Sequence, residues 1–347
     1  MAPLLVVVRR FHRCGVLAIA LLLMALGRSV DAGDADRPLQ VRQLGSCQDT
    51  AGLGIVQAGL GTDQLTGGTF TITGIPAGAQ IVEAWLYWNG ADDGNNVHDE
   101  PETFNPVFHD GDPTVTLNGM QVPAPQRMGG PANWAGVQDA YAYAYRSDVR
   151  TIVTGNGVYL FEGMDAFFGE RGYNNGAQLV VVYRHPSQPP TLVGIGEGLD
   201  LAYGTNGPNV GPGTTTVFFQ FAPGLVKRQA TVSVFVGGAL PENRTNLWYQ
   251  TGSVMPPFPQ THRIAGHPDA IRMADPFNGL HNQNGNGFWD SYSFTLQVPG
   301  DATWLGVQVE SPNSLPYALL DWVGATLVMP LNCAPRLYTP MLLYGVR

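Results

Sequence analysis

AQLVVVYRH (residues 177–185) contains a near-continuous apolar run, Leu179-Val180-Val181-Val182-Tyr183. A run this short, bounded by polar residues, reads as a strand buried on both faces rather than as a helix. Working outward, Thr69-Phe70-Thr71-Ile72-Thr73 and Thr231-Val232-Ser233-Val234-Phe235-Val236 alternate with period two. Turn chemistry separates such runs at Gly74-Ile75-Pro76-Ala77-Gly78, Asn118-Gly119, Gly155-Asn156-Gly157 and Pro299-Gly300. No helical period outlasts a turn or two, Met164 to Phe168 being the nearest candidate. The expected class is all-β, an antiparallel β-sandwich of jelly-roll type.

The two halves echo each other. Leu86–Ala91 (LYWNGA) aligns with Val234–Ala239 (VFVGGA) at an offset of 148 residues, as do Phe70 with Phe218 and Ala177 with Ala325. Asp139–Tyr143 aligns with Asp290–Phe294 at an offset of 151. The expectation is two duplicated units in tandem, residues 41–188 and 189–333, each of ordinary β-sandwich length. The Pro-rich crossing 185–190 (HPSQPP) marks their boundary. One large sandwich drawing strands from both halves is the alternative.

Residues 1–32 read as a secretory signal peptide. Arg9, Arg10 and Arg13 precede an apolar run, Cys14–Gly27, that is short for a membrane span, and Val30-Asp31-Ala32 offers a cleavage site. A retained membrane anchor is the alternative. Cleavage removes four arginines and one aspartate, taking the formal net charge from −9 to −12 and leaving Lys227 as the one lysine. An acidic, lysine-poor surface repels phosphate backbones, so nucleic acid is not an expected partner. Only 13% of residues are charged, while 44 glycines and 27 prolines punctuate the chain, which argues against both disorder and a helical fold.

Cys14 leaves with the leader, so Cys47 and Cys333 remain, and an oxidising compartment favours a bridge between them. Leu44-Gly45-Ser46-Cys47 looks superficially like a lipoprotein processing site. Some twenty mostly polar residues separate it from the apolar run, which favours the disulfide.

Three stretches in order, GIPAGAQIVEAWLYWNGA (74–91), YRSDVRTIVTGNGVYLF (145–161) and AQLVVVYRHPSQPPTLVGIGEGLD (177–200), resemble an uncharacterised β-sandwich domain family of secreted bacterial and archaeal surface proteins. The resemblance spans roughly residues 60–332 and implies a surface or extracellular role with no established chemistry. The chain departs from the family pattern at Gln178, where an aromatic is common, and at Arg184, where an acidic residue is. Gly196-Glu197-Gly198 replaces an Asp-Gly turn, which argues against a binding role there. Residues 334–347 (APRLYTPMLLYGVR) form a C-terminal tail similar to short Tyr-x-Pro-apolar-Arg endings of some secreted proteins.

Catalytic signatures such as Gly-x-Ser-x-Gly, His-Glu-x-x-His and Cys-x-x-Cys do not occur. Histidines 98, 109, 185, 262, 267 and 281 are scattered through expected loops. A glycoside hydrolase would need two carboxylates across a cleft, drawn from Glu162, Asp165, Glu170, Glu197 or Glu310. On the strand containing Trp85, Leu86, Tyr87 and Trp88, alternate residues face opposite sides, which requires both faces to be covered. Trp134, Trp248 and Trp289 are expected in loops, where flat rings can stack on sugars.

The Asn-rich stretch Asp275–Phe294 (DPFNGLHNQNGNGFWDSYSF) places Asn282, Asn284, Asn286, Gly287 and Asp290 at calcium-loop spacing, with Ser293 where a bidentate glutamate belongs. Neutral amides make it a turn-rich connection first, with Asp275 and Asp290 as the secondary metal candidates. The more charged loop, carrying Asp92, Asp93, Asp99 and Glu100, is the first calcium candidate. No cofactor is otherwise required. The combined expectation is a secreted, non-enzymatic surface or matrix protein that binds a glycan or a surface protein. A carbohydrate-binding module with a structural calcium, and a glycoside hydrolase, are the alternatives.

Overall fold

Period-two alternation produces strands, and the Gly/Pro/Asn clusters produce the turns between them. The computed structural model describes residues 37–333 apart from 50, 63–64, 94–110, 125, 134–139, 165–172, 204–212, 260–261, 286 and 313–318. The leader, the C-terminal tail, Trp134, Asp99, Glu100, Asp165 and Glu170 therefore lie outside the described residues. In chain order the strands are β1 Arg37–Leu44, β2 Gly52–Gly61, β3 Gly67–Ile72, β4 Gln80–Asp93, β5 Thr114–Leu117, β6 Met120–Pro123, β7 Gln126–Asn133, β8 Ala140–Asp148 and β9 Gly157–Glu162. There follow β10 Tyr173–His185, β11 Thr191–Tyr203, β12 Val217–Gln220, β13 Arg228–Ala239, β14 Asn246–Gly252, β15 Ile271–Ala274, β16 Phe288–Val298, β17 Trp304–Glu310 and β18 Leu319–Pro330. The described residues contain no helix, so none is long and apolar enough to cross a membrane.

The strands form four antiparallel sheets stacked as two sandwiches. The first outer sheet runs β3-β9-β5-β6 and the first inner sheet β2-β10-β4-β8-β7. The second inner sheet runs β1-β11-β18-β13-β16 and the second outer sheet β12-β17-β14-β15. The order repeats. β2-β10-β4-β8 corresponds to β11-β18-β13-β16, and β3-β9-β5-β6 to β12-β17-β14-β15, leaving β7 and β1 as extra edge strands. Within the described residues, which exclude Asp139, each pair of segments aligned by the sequence echo occupies equivalent strands in the two sandwiches. β1 cuts across the boundary expected at residue 41. It precedes the first sandwich in sequence yet pairs with β11 in the second, Val41 opposite Gly196.

Three cores separate the four layers. Leu86, Trp88, Phe70, Phe161 and Leu179 fill the first sandwich, and Phe219, Val234, Leu305, Trp322 and Leu327 the second. Between the inner sheets lie Tyr87, Val180, Leu199, Phe235, Trp289 and Val323, with a satellite of Leu53, Val182, Val193 and Ile195. This middle core explains the run at 179–183. Leu179 and Val181 face the first outer sheet while Val180 and Val182 face the second sandwich, so both faces of β10 are dry. Fully burying one such side chain contributes about 1.5–3 kcal/mol. Strand β4 divides its aromatics in the same way, with Trp88 in the first core and Tyr87 in the middle one.

Cys47 and Cys333 form a disulfide with Cα atoms 5.3 Å apart. Cys47 follows β1 and Cys333 follows β18, the two strands flanking β11, so the bridge closes one end of the second inner sheet. Gly196-Glu197-Gly198, which stands where the family resemblance has a turn, lies inside β11, where the pairing with β18 shifts register between Glu197 and Asp200. The turn chemistry of its glycines is overridden by pairing on both sides, and the irregularity surfaces as a bulge.

Candidate functional site

The Asn-rich stretch closes the corner where the edge strand of each inner sheet meets the other. The Gln283 amide nitrogen donates to Gly59 O at 2.9 Å. The Asn284 side chain pairs with both backbone groups of Gly61, and the Gln283 side chain pairs with both of Thr71, at 2.5 and 2.7 Å. Gly59 and Gly61 lie on β2 and Thr71 on β3, which are edge strands of the first sandwich. These side chains therefore fill backbone valences that no neighbouring strand takes.

Asp290 holds the loop from inside. Its fully buried carboxylate accepts the Asn278 and Gly279 amides at 2.8 and 2.9 Å, and His281 Nδ1 stands 2.9 and 3.1 Å from its two oxygens. Asp275 Oδ1 accepts the Thr245 amide at 3.0 Å. Asn282 Oδ1 accepts the Asn284 and Gly285 amides while its Nδ2 donates to Gly279 O and Trp289 O. Of the proposed calcium spacing, Asn282 and Asp290 thus accept backbone amides of the loop and Asn284 turns to the β2 edge, while Asn286 lies outside the described residues. Among the described residues no group of three or more His, Cys, Asp or Glu is placed to hold a metal.

Beneath this loop, β2, β10 and β16 line an open polar wedge of about 220 Å³. Its floor is Gln178, fully buried on β10, whose Oε1 accepts Ser291 Oγ at 2.5 Å and Trp289 Nε1 at 3.3 Å. Gln57 and Ser293 form the walls, and His281 and Gln283 the rim. The close approach depends on Gly59, opposite Gln178 in register, because a Cβ there would sit 2.2 Å from Ser291 Oγ.

The opposite side of the middle core carries charge. Arg37, Gln40, Arg127, Met128, Arg146 and Glu197 line a cleft of about 320 Å³. Glu197 pairs with Arg146 and accepts the Tyr87 hydroxyl at 2.9 Å, and Glu83 pairs with Arg42 at 2.5 Å and with Trp85 Nε1 at 2.8 Å. Arg42 and Arg146 lie over the Trp85 ring, 5.2 and 4.6 Å from its centroid. Burial pushes the Tyr87 hydroxyl up to about 12, with the charges of Arg42 and Arg146 pulling the other way. Burial also lowers the Arg146 guanidinium below its ordinary range.

The remaining predicted residues scatter. Trp289 is not in a loop. It is the second residue of strand β16, fully buried between the inner sheets, and its faces are spent on packing, with Phe235 stacked 6.3 Å away. Trp248 is likewise on a strand, β14, with its indole N–H donated to Glu310 at 2.9 Å. Glu310 also accepts Asn246 Nδ2 at 2.7 Å, while Glu162 lies exposed on the first outer sheet. Glu197 faces the first sandwich, Glu310 pairs with side chains on the second outer sheet, and Glu162 belongs to the far layer. These three carboxylates do not converge on one cleft. Asp92 and Asp93 end β4, with their side chains outside the described residues. His262 and His267 rings are 6.2 Å apart, and His185 bonds Ser187 Oγ at 2.7 Å. The wedge and the arginine cleft were not anticipated as sites, although Gln178 had stood out as a departure from the family pattern.

No curated protein matches the sequence. Among solved structures, the VP2 subviral particle of infectious bursal disease virus is similar at 10% identity, with 91% of this chain and 78% of that chain covered and a TM-score of 0.24. The plant peptide RALF23 in complex with FER and LLG2 is similar at 9% identity, with 88% and 94% covered and a TM-score of 0.21. At such scores neither bears on the reading of the site. Residues 55–270, more than half of the chain, match the protein family of unknown function DUF3344, and the chain belongs to that family.

Proposed function

We propose that this protein is a secreted, non-enzymatic binding or adhesion protein of the bacterial surface or matrix, acting on a glycan or another surface molecule. The observation that carries the reading is the disposition of its ionisable groups. Glu83, Glu197, Asp290 and Glu310 are each committed to arginine, indole or backbone donors within the scaffold. A hydrolytic carboxylate pair needs one free acid and one free base facing a shared substrate. The Cys47–Cys333 bridge supports an oxidising compartment, as does the leader pattern of residues 1–32.

A glycan array with the mature protein tests the proposal, run beside a reducing-sugar assay on the same glycans. Retention on one or more glycans without turnover is the expected outcome. Release of reducing sugar would replace this reading with the hydrolase.

A further inference from the structure

Of the strands at the sheet edges, all but β16 carry a feature that discourages further pairing. The β2 and β3 edges hold the Asn284 and Gln283 amides. Strand β1 contains Arg37, Pro38 and Arg42, and β7 contains Pro131 and two register shifts. Strands β6, β12 and β15 are only four residues long. Residues 292–298 of β16 (YSFTLQV) contain no proline, glycine or charge and run without a bulge. The Ser291 amide donates to His281 O at 3.0 Å, on the side away from β13. Alternation turns the amides and carbonyls of Ser293, Thr295 and Gln297 to that same side, where no strand of the described residues meets them.

A cleft of about 450 Å³ lies beside this edge, between β16 and the second outer sheet. Tyr249, Ile271 and Leu296 give it apolar lining, and Thr295, Gln297 and Asp269 polar lining. An added strand gains main-chain hydrogen bonds from such an edge and seats alternate side chains in such a cleft.

The occupant is indicated by where the chain goes after β18. Thr231 of β13 pairs with Val328 on one side and Thr295 on the other, so β18 finishes level with the carboxyl end of β16. Asn332 Nδ2 donates to Val226 O at 3.3 Å, which puts the departing chain beside the connection into β13. From β18 to the open side of β16 is three strand spacings, roughly 14 Å, and from β11 it is roughly 19 Å. Residues 334–340 span up to about 23 Å when extended, enough for either route. Residues 341–346 (MLLYGV) then follow Pro340 without a charge or a further proline. The charged side chains of residues 334–347 are Arg336 and Arg347, both basic, while Asp269 lines the cleft and the mature chain is acidic. A tether this short sets an effective concentration of roughly millimolar, which favours the chain's own segment over a second molecule.

We propose that residues 341–346 join the second inner sheet as a sixth strand, antiparallel to β16, with alternate apolar side chains in the cleft. The assignment is independent of the glycan reading, since it concerns how the chain completes its own sheet.

The test is hydrogen exchange by mass spectrometry on the mature, oxidised protein at two concentrations, with light scattering alongside. Leu342→Asp/Leu343→Asp should release the segment. Peptides covering residues 292–298 and 341–346 should then exchange about tenfold faster than in the wild type, as for hydrogen bonds lost from a sheet edge. Wild-type protection should not depend on concentration. Thr295→Pro removes an outward amide without breaking the ladder to β13, so it should also release residues 341–346. The tail variant leaves every described strand intact and decides the question even if Thr295→Pro fails to fold. Equal exchange in the wild type and the tail variant would overturn the proposal. So would protection of residues 292–298 that survives the tail variant and grows with concentration, which would assign the edge to a second copy of the chain.

Discussion

Asn284 meets Gly61 as a strand would: its Oδ1 accepts the Gly61 amide at 3.2 Å while its Nδ2 donates to the Gly61 carbonyl. Gln283 does the same to Thr71 on the neighbouring edge. An open edge invites pairing with another chain, and amide side chains close it without extending the sheet. Gln283 and Asn284 suit that role because one amide offers both a donor and an acceptor, while Asn278 and Asn282 serve the loop's own backbone.

Removing the cap should expose the edges. Gln283→Ala/Asn284→Ala together lose four side-chain hydrogen bonds, each contributing about 0.5–1.5 kcal/mol net. A loss of about 2–4 kcal/mol in denaturant stability is expected, together with concentration-dependent association in light scattering. A monomer with an unchanged midpoint would show that water replaces the amides at no cost.

Asp290 should matter equally with and without calcium. Asp290→Ala removes a buried carboxylate from two backbone amides and His281, and hydrogen bonds to a charged group are worth about 1.5–3 kcal/mol each. A fall of about 3 kcal/mol is expected, the same in millimolar calcium and in chelator. A destabilisation that appears only in calcium would restore a metal at this position. Any calcium effect in the wild type is expected to map to the Asp92, Asp93, Asp99 and Glu100 loop, read out with Asp92→Asn/Asp93→Asn.

The disulfide joins residues 286 apart in sequence. Constraining so long a loop in the unfolded chain stabilises by about 5 kcal/mol in the chain-entropy treatment. Peptide mapping without reductant should recover the two cysteine peptides as one species. Cys47→Ser/Cys333→Ser should lower the unfolding midpoint with unchanged β-sheet circular dichroism. Free thiols at both positions in the exported protein would contradict the bridge.

Tyr87 sets an alkaline limit. Its hydroxyl is raised from 10.0 to about 12 in the fold, mainly by burial. Between these values the unfolded chain has given up the proton while the folded chain keeps it, so stability falls as pH rises. The contribution is whole below pH 10 and lost through about pH 12, a change of about 2–3 kcal/mol at 1.36 kcal/mol per unit. Denaturant melts across that range should show this slope, shallower in Tyr87→Phe. Equal slopes would mean that the phenol ionises freely in the fold.

Local pattern carried the fold class because alternation and double-sided burial leave direct marks, as at Thr69–Thr73 and Leu179–Tyr183. The long-range placements left none. Trp289 follows Gly285 and Gly287 and looks like a loop residue, yet β16 pairs with β13 from Phe288 onward and seals the ring between sheets. Strand β1 carries no sign that its partner lies across the whole first sandwich. The ion pairs beside the charged cleft gather Arg42, Glu83, Arg146 and Glu197 from four separated strands, and the wedge unites β2, β10 and β16. Asn89, Asn175 and Asp321, fully buried and mutually bonded at 2.7 and 3.0 Å, are likewise visible only once the two inner sheets are stacked.

The pairing of β1 with β11, closed off by Cys47 and Cys333, bears on the order in which the molecule can be finished. A chain delivered from its amino end presents β1 first, but the strand it needs is not made until the first sandwich has emerged. Its thiol waits longer still, for a partner 286 residues further along the chain. Such distant contacts make for slow closure. The bridge therefore reports on assembly as well as strengthening it: Cys47 keeps a free thiol until both sandwiches have been made and β18 has taken its place beside β11.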